Sequence, residues 1–233
     1  MKETPQRLMI VTPHPDDFEL GCAGTVAKWI KDGAEAVLVV ATNGDKGSAD
    51  PEMTSEKLAA IRREEQIKAA KLLSLKEVVF LDYPDGNLED TAEFRGVLVR
   101  QIRIHQPEVI FTTDPFRRTF YQHRDHRMAG LVTLDAVFPY ARDRLHYPEH
   151  IEEGLQPHKV KWVYLWGSED PDTFEDISAT IGLKIKALKC HKSQTSSRDG
   201  WDVEEGIREW ARNRGKDHNI PYAESFKRFN LRD

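Results

Sequence analysis

The run Ala-Glu-Ala-Val-Leu-Val-Val-Ala over residues 34–41 constrains the fold most, because a strand so nearly all apolar must be covered on both faces. Strands of that kind lie inside parallel sheets. Arg-Leu-Met-Ile-Val-Thr at residues 7–12 precedes it, and Val-Val-Phe-Leu at 78–81 and Val-Ile-Phe-Thr-Thr at 109–113 follow. Between these runs apolar residues recur at helical spacing, over residues 20–29, over 56–73 through Leu58, Ile61, Ala69, Leu72 and Leu73, over about 92–105, and again after His126. The alternation predicts an α/β fold: a Rossmann-like, doubly wound, mostly parallel sheet with helices on both faces. A strand at 159–166 and a helix at 181–191 continue the pattern. The 233 residues show no internal repeat and fit a single domain, 1–233. Long loops are expected at 43–51, 84–90, 114–122 and 139–157, several of them beside the ligand-binding end of the sheet.

The first strand runs into His14-Pro15-Asp16-Asp17-Phe18-Glu19, which brings an imidazole and three carboxylates to the carboxyl end of a strand, where open α/β sheets bind ligands. Pro15 suits the first helical position. That predicts His14 at the N-cap and Asp17 three residues further on the same face, with Asp16 flanking the point on which they converge. The strand at 109–113 leads in the same manner to His123-Arg124-Asp125-His126. His126 completes a two-histidine, one-aspartate set with His14 and Asp17, which suits a hydrolytic zinc that keeps positions open for water and substrate. Asp16, adjacent and unliganded, is the expected general base. His123, with Asp125 as its orienting carboxylate, is expected to stabilise an oxyanion or to protonate a departing amine. Either cluster alone is also explained by helix N-termini, which collect carboxylates and capping groups. Two such clusters, each after a strand, favour a shared site.

The segments His14-Pro-Asp-Asp17 and His123-Arg-Asp-His126 resemble the two defining motifs of the LmbE-like, PIG-L superfamily of zinc-dependent N-acetylglucosaminyl deacetylases. The resemblance continues in order through Gly-Cys-Ala-Gly-Thr-Val-Ala-Lys from Gly21, Thr-Asn-Gly-Asp-Lys-Gly-Ser from Thr42, Ile-Arg-Arg-Glu-Glu from Ile61, Asp85-Gly86, His-Lys-Ser-Gln from His191 and Tyr-Ala-Glu-Ser-Phe from Tyr222. It thus spans nearly the whole chain. Pro13 stands where a small residue is usual and Arg124 replaces a common proline; neither change removes a ligand.

Such a resemblance implies one zinc ion per chain, or another divalent ion in its place, and removal of the N-acetyl group from an N-acetylglucosamine-type sugar or its conjugate. It also implies a homo-oligomer. For Arg62 it implies a contact with sugar hydroxyls or an anionic aglycone, against the plainer reading of an exposed arginine in a charge run. Asp85 would bind a sugar hydroxyl or fill an Asp-Gly turn. His191 would lie at the pocket rim or be a surface histidine. The alternative activity is a zinc amidase acting on a larger N-acyl or thiol conjugate. A non-catalytic metal- or sugar-nucleotide-binding module is disfavoured, since all the proposed ligands and Asp16 are present.

The loop from Thr42 to Ser48 lacks the glycine spacing of nucleotide sites and reads as a flexible wall of the site. With 34 basic against 39 acidic residues, a net charge of −5 and no basic patch, nucleic acid is not an expected partner. Cys22 and Cys190 are too few for a disulfide framework, which points to a reducing cytoplasm, and Cys22 reads as a core residue. The amino terminus shows no apolar signal region, and no stretch approaches the ~20 apolar residues of a membrane span. Trp162, Tyr164 and Trp166 share one strand face, for which core packing is the first reading, an oligomer interface the second and a sugar platform the third. The highly charged stretch 193–233 is expected to dock on a neighbouring subunit.

Overall fold

The computed structural model describes residues 4–119, 121–195 and 202–231. Strands β1 (Arg7–Thr12), β2 (Glu35–Thr42), β3 (Glu77–Tyr83), β4 (Val109–Thr113) and β5 (Trp162–Trp166) run parallel in the order β3-β2-β1-β4-β5. The sheet continues through two antiparallel strands, with β7 (Ala223–Asn230) lying between β5 and β6 (Thr173–Asp176).

Alternation along the strands builds two cores. Leu8, Ile10, Leu38 and Val40 face helices α1 (Asp17–Gly21), α2 (Ala23–Lys31), α3 (Ser55–Leu72) and α7 (Ile181–Leu188). Met9, Val11, Val39 and Ala41 face α4 (Ala92–His105) and α5 (Arg124–Val137) through Phe94, Leu98, Ile102, Ala129 and Val132. This two-sided cover is why residues 34–41 read as almost continuously apolar. Tyr164 and Trp166 pack into the first core with Trp29, Phe111 and Phe226, so the core reading of the β5 aromatics holds. Cys22 is buried there as expected. Thr54 and Thr91 cap α3 and α4 by accepting from the amides of Lys57 and Phe94.

Three expectations need correction. The helix expected over 20–29 is two helices, broken at Cys22 (φ −148°). The break is stabilised by a fully buried ion pair. Lys184 donates to the Leu20 carbonyl at 2.8 Å and to Glu224 Oε1 at 2.6 Å, while Glu224 accepts from the amides of Gly24 and Thr25 and from the Thr25 hydroxyl. Glu224 therefore caps α2 from the far end of the chain. Second, the described part of the charged stretch 193–233 packs on its own chain: the helix Val203–Gly215 lies on β7, which fills a place inside the sheet. Residues 196–201 of that stretch, and Phe120 ahead of the second motif, lie outside the described residues. Third, residues 139–157 are not one long loop: they include a 3-10 turn (Tyr140–Arg142), which packs against α4 and α5, and α6 (Pro148–Glu152). There buried Arg103, in the last turn of α4, donates to the carbonyls of Tyr140, Asp143, His146 and Tyr147.

The strand order reverses between β1 and β4, which pair directly with Leu8 opposite Val109. Ligands bind at such a switch point, beyond the carboxyl ends of the strands. Both motifs leave from there. No helix among the described residues is long and apolar enough to cross a membrane.

Candidate active site

Between β1 and α1 the chain is held at almost every backbone group. Thr42 donates its amide and its hydroxyl to the Pro13 carbonyl, each at 2.9 Å. Arg62 Nη2 donates to the Pro15 carbonyl at 2.7 Å, and the Asp16 amide donates to Gln66 Oε1 at 3.1 Å. Asp16 itself is left-handed (φ 96°), which non-glycine residues rarely adopt. The expected N-cap at His14 with Pro15 in the first helical position is therefore not what forms. Helix α1 starts at Asp17, because the His14 amide bonds Asp17 Oδ2 at 3.0 Å and the carbonyls on either side are drawn outward. His14 and Asp17 still converge, by direct contact: His14 Nδ1 lies 3.0 Å from Asp17 Oδ2.

His126, in the first turn of α5, puts Nε2 at 3.1 Å from the same Asp17 oxygen. Ligand atoms of His14, Asp17 and His126 all lie within 4.8 Å of one another. Ligands at ~2.0–2.1 Å around a tetrahedral zinc stand about 3.3 Å apart, so the three groups fit a shared ion in donor type and in spacing. The field fits too. Burial alone would strip the proton from His14, but hydrogen bonds from Asp125, Asp17 and Asp85 outweigh it and raise the imidazole pKa well above its ordinary value. A cluster that holds a proton so firmly attracts a cation. Burial likewise opposes ionisation of Asp17, yet the charge and hydrogen bond of His126, with those of His14, hold its carboxyl well below the usual range.

Asp125 makes contacts other than the one its sequence position suggested. Its carboxylate is fully buried, accepts from the amides of Gly86 (2.6 Å) and Leu88 (3.1 Å), and contacts His14 Nε2 at 3.1 Å. From His123 Nδ1 it stands 4.0 Å away. The carboxylate thus meets Nε2 of His14 and leaves Nδ1 facing Asp17, an arrangement like that of the outer carboxylates of metal-bound histidines. His123 is fixed instead by the Asp125 amide, which donates to its Nδ1 at 3.2 Å. Nε2 is then the donor atom. Burial and the neighbouring His14 lower the His123 pKa, favouring the neutral ring.

Asp16 lies beside the ligand set, its Oδ1 3.7 Å from Arg62 Nη2. Burial and the adjacent Asp17 charge push its pKa up to about 7, against the pull of the Arg62 guanidinium. Arg62 is only 4% exposed, which removes the surface-arginine reading. Its two terminal nitrogens bond the carbonyls of Gly44 and Pro15, and Gly44 (φ +64°) has no room for a side chain, since a Cβ would come 2.8 Å from the guanidinium. Asp85 fills the Asp-Gly turn, where Gly86 takes φ +85°, and its Oδ1 points to His14 Nε2 at 3.1 Å. The Asp85 amide bonds Asp45 Oδ1, and the Asn43 amide bonds the Tyr83 carbonyl, so the wall expected to be flexible is pinned over residues 43–45. His191 is not at a rim. It is fully buried, with Nε2 3.4 Å from Glu19 Oε2. Sequence reasoning missed Gln66, although its place four residues after Arg62, on the same helix face, was a usable signal.

The PIG-L family profile, described as GlcNAc-PI de-N-acetylase, matches residues 9–137, which include both motifs. The chain belongs to the PIG-L family. This PIG-L protein is 32% identical over 223 residues to the diacetylchitobiose deacetylase of Thermococcus kodakarensis, covering 95% of this chain and 82% of that one. It is 34% identical over 188 residues to the mycothiol S-conjugate amidase of Streptomyces coelicolor, covering 72% and 63%. Its fold superposes on the N,N'-diacetylchitobiose deacetylase of Pyrococcus horikoshii with a TM-score of 0.91 at 30% identity, covering 97% of this chain and 84% of that structure. PIG-L relatives of this kind are metal-dependent amide hydrolases, and the chain carries a His/Asp cluster suited to such an ion.

Proposed function

We propose that this PIG-L protein is a zinc-dependent hydrolase that removes the N-acetyl group from an N-acetylglucosamine-type sugar or its conjugate. The observation that carries the reading is the convergence of His14, Asp17 and His126 beside the unliganded carboxylate of Asp16. When bound by those three groups, zinc supplies a lowered pKa for the attacking water and polarises the amide carbonyl. Asp16 takes the proton of that water as general base, from a position fixed by the turn it sits in. His123, neutral with its proton on Nε2, donates a hydrogen bond to the oxygen on which negative charge develops. Asp125, facing Nε2, would keep His14 in the tautomer whose Nδ1 is free to help hold the ion beside Asp17. Asp85, beside His14 and 3.9 Å from Arg62, is placed to accept from a sugar hydroxyl, with Arg62 acting mainly as a clamp on the surrounding backbone.

Two free and separate cysteines accord with a reducing cytoplasm. A homo-oligomer accords with the exposure of Phe116, Tyr121, Phe138 and Leu145, and light scattering would test it.

Acetate release from free N-acetylglucosamine, diacetylchitobiose, and inositol- and malate-linked N-acetylglucosamine, with and without chelator, tests the activity. Chelator-sensitive acetate release is expected from at least one of them. Turnover that resists chelation would refute the metal mechanism. No acetate from these four sugars, with release of a longer acid from N-acyl analogues or of a mercapturate from a thiol conjugate of the sugar, would select the amidase reading, which the Streptomyces coelicolor relative favours.

A further inference from the structure

A chain of fully buried polar side chains lies behind Asp16 and takes no part in the chemistry above. Gln66 Oε1 accepts from the Asp16 amide at 3.1 Å, and Gln66 Nε2 donates to Glu19 Oε1 at 2.7 Å. Glu19 and Gln66 are both without solvent exposure, and Glu19 Oε2 has no hydrogen-bond partner within the described residues other than the approach of His191 Nε2 at 3.4 Å. Burying a carboxylate and an amide at such depth is unfavourable unless their bonds are made, so a core position of this kind would ordinarily be apolar. The chain ends on the one non-glycine residue of the motif with a left-handed backbone. Backbone in that region is strained and persists only when its surroundings enforce it.

We propose that Gln66, itself fixed by Glu19, is a positioning residue for Asp16. Arg62 and Gln66, one turn apart on α3, grip the Pro15–Asp16 peptide group from both sides, Arg62 through its carbonyl and Gln66 through its amide. Asp16 Oδ1 makes no hydrogen bond to Arg62, at 3.7 Å, so the direction of the carboxylate is set by its backbone. Released from Gln66, Asp16 relaxes toward the helical region and its carboxylate swings away from the attacking water, while His14, Asp17 and His126 keep their own contacts. The role rests on the reading of Asp16 as general base.

The test uses the metal-loaded enzyme and four variants, with kcat, KM, bound metal and melting temperature measured on each. Gln66→Glu sets two buried carboxylates against each other and should lower kcat about 10–100-fold, with KM within about twofold and metal content unchanged. Glu19→Gln alone should stay near the parent, because a flipped amide still accepts from Gln66. The double variant Glu19→Gln/Gln66→Glu restores the bond with donor and acceptor exchanged, and should recover kcat to within a few-fold. Should Gln66→Glu fail to fold, the double variant decides alone: recovered kcat supports the proposal and persistent loss overturns it. Full kcat in Gln66→Glu, or loss that appears only in KM or in metal content, also overturns it. Asp16→Asn is the control. If that variant keeps full turnover, the reading of Asp16 as base fails; if it loses turnover while Gln66→Glu does not, only the positioning role fails.

Discussion

Asp16 and Asp17 are neighbours in sequence with opposite surroundings. Asp17 is gripped by two imidazoles and stays ionised, whereas Asp16 is buried beside a like charge and is pushed up to about 7. One residue is thereby suited to hold a cation and the other to take a proton. Asp16→Asn should retain bound metal and lower kcat by about 10²–10⁴-fold, as loss of a general base does, with elemental analysis and acetate assays as the joint readout. His14→Ala and His126→Ala should show the reverse order, losing metal first. Asp125→Asn should weaken metal binding about 10–100-fold without removing a ligand, measurable by competition with a chromogenic chelator. Unchanged metal affinity in Asp125→Asn would show that its carboxylate does not orient His14. At this scale the residue types were readable from the two motifs. Their partners were not: the sequence spacing pairs Asp125 with His123, and only the packed structure sends that carboxylate to a histidine 111 residues away.

Helices α1 and α2 illustrate what an element owes to its neighbours. Apolar spacing from residue 20 to 29 reads as one helix, and the two short ones that form leave the Leu20 carbonyl and the Gly24 and Thr25 amides in need of partners. Glu224 and Lys184 supply them from β7 and α7. Lys184→Met should therefore destabilise the protein by about 3–5 kcal/mol, the range for breaking one side of a buried pair, read from urea denaturation. A loss below ~1 kcal/mol would mean that Glu224 is satisfied by α2 alone. Strand β7 was missed for a related reason. Glu224, Lys227 and Arg228 interrupt any apolar alternation, and the strand is defined by the sheet edges it fills, between β5 and β6, more than by its own composition. Strand β4 and helix α4, each with a self-contained pattern, form where their spacing predicts.

Across the whole molecule the site is a property of the sheet. The proposed ligands follow β1 and β4, strands whose sheet pairing and apolar packing do not involve those side chains, so an ion there is expected to add to the scaffold and not to build it. Stripping the metal should abolish acetate release and leave far-UV circular dichroism unchanged. Restoring metal to ~1,000 times its Kd should add about 4 kcal/mol of stability, seen as a rise in Tm, and an unchanged Tm would mean no ion binds the folded state preferentially. The parallel core and its two apolar faces were legible because alternation of apolar strands and helices is a local pattern that burial enforces. The sequence by itself determined the fold class, the residue types of the site and the strand ends that carry them. Only the tertiary structure decided that β1 and β4 lie side by side, that Asp16 is held in a left-handed turn by α3, and that the charged tail belongs to the sheet. Those depend on which buried donor meets which acceptor across long separations, and no local periodicity encodes that.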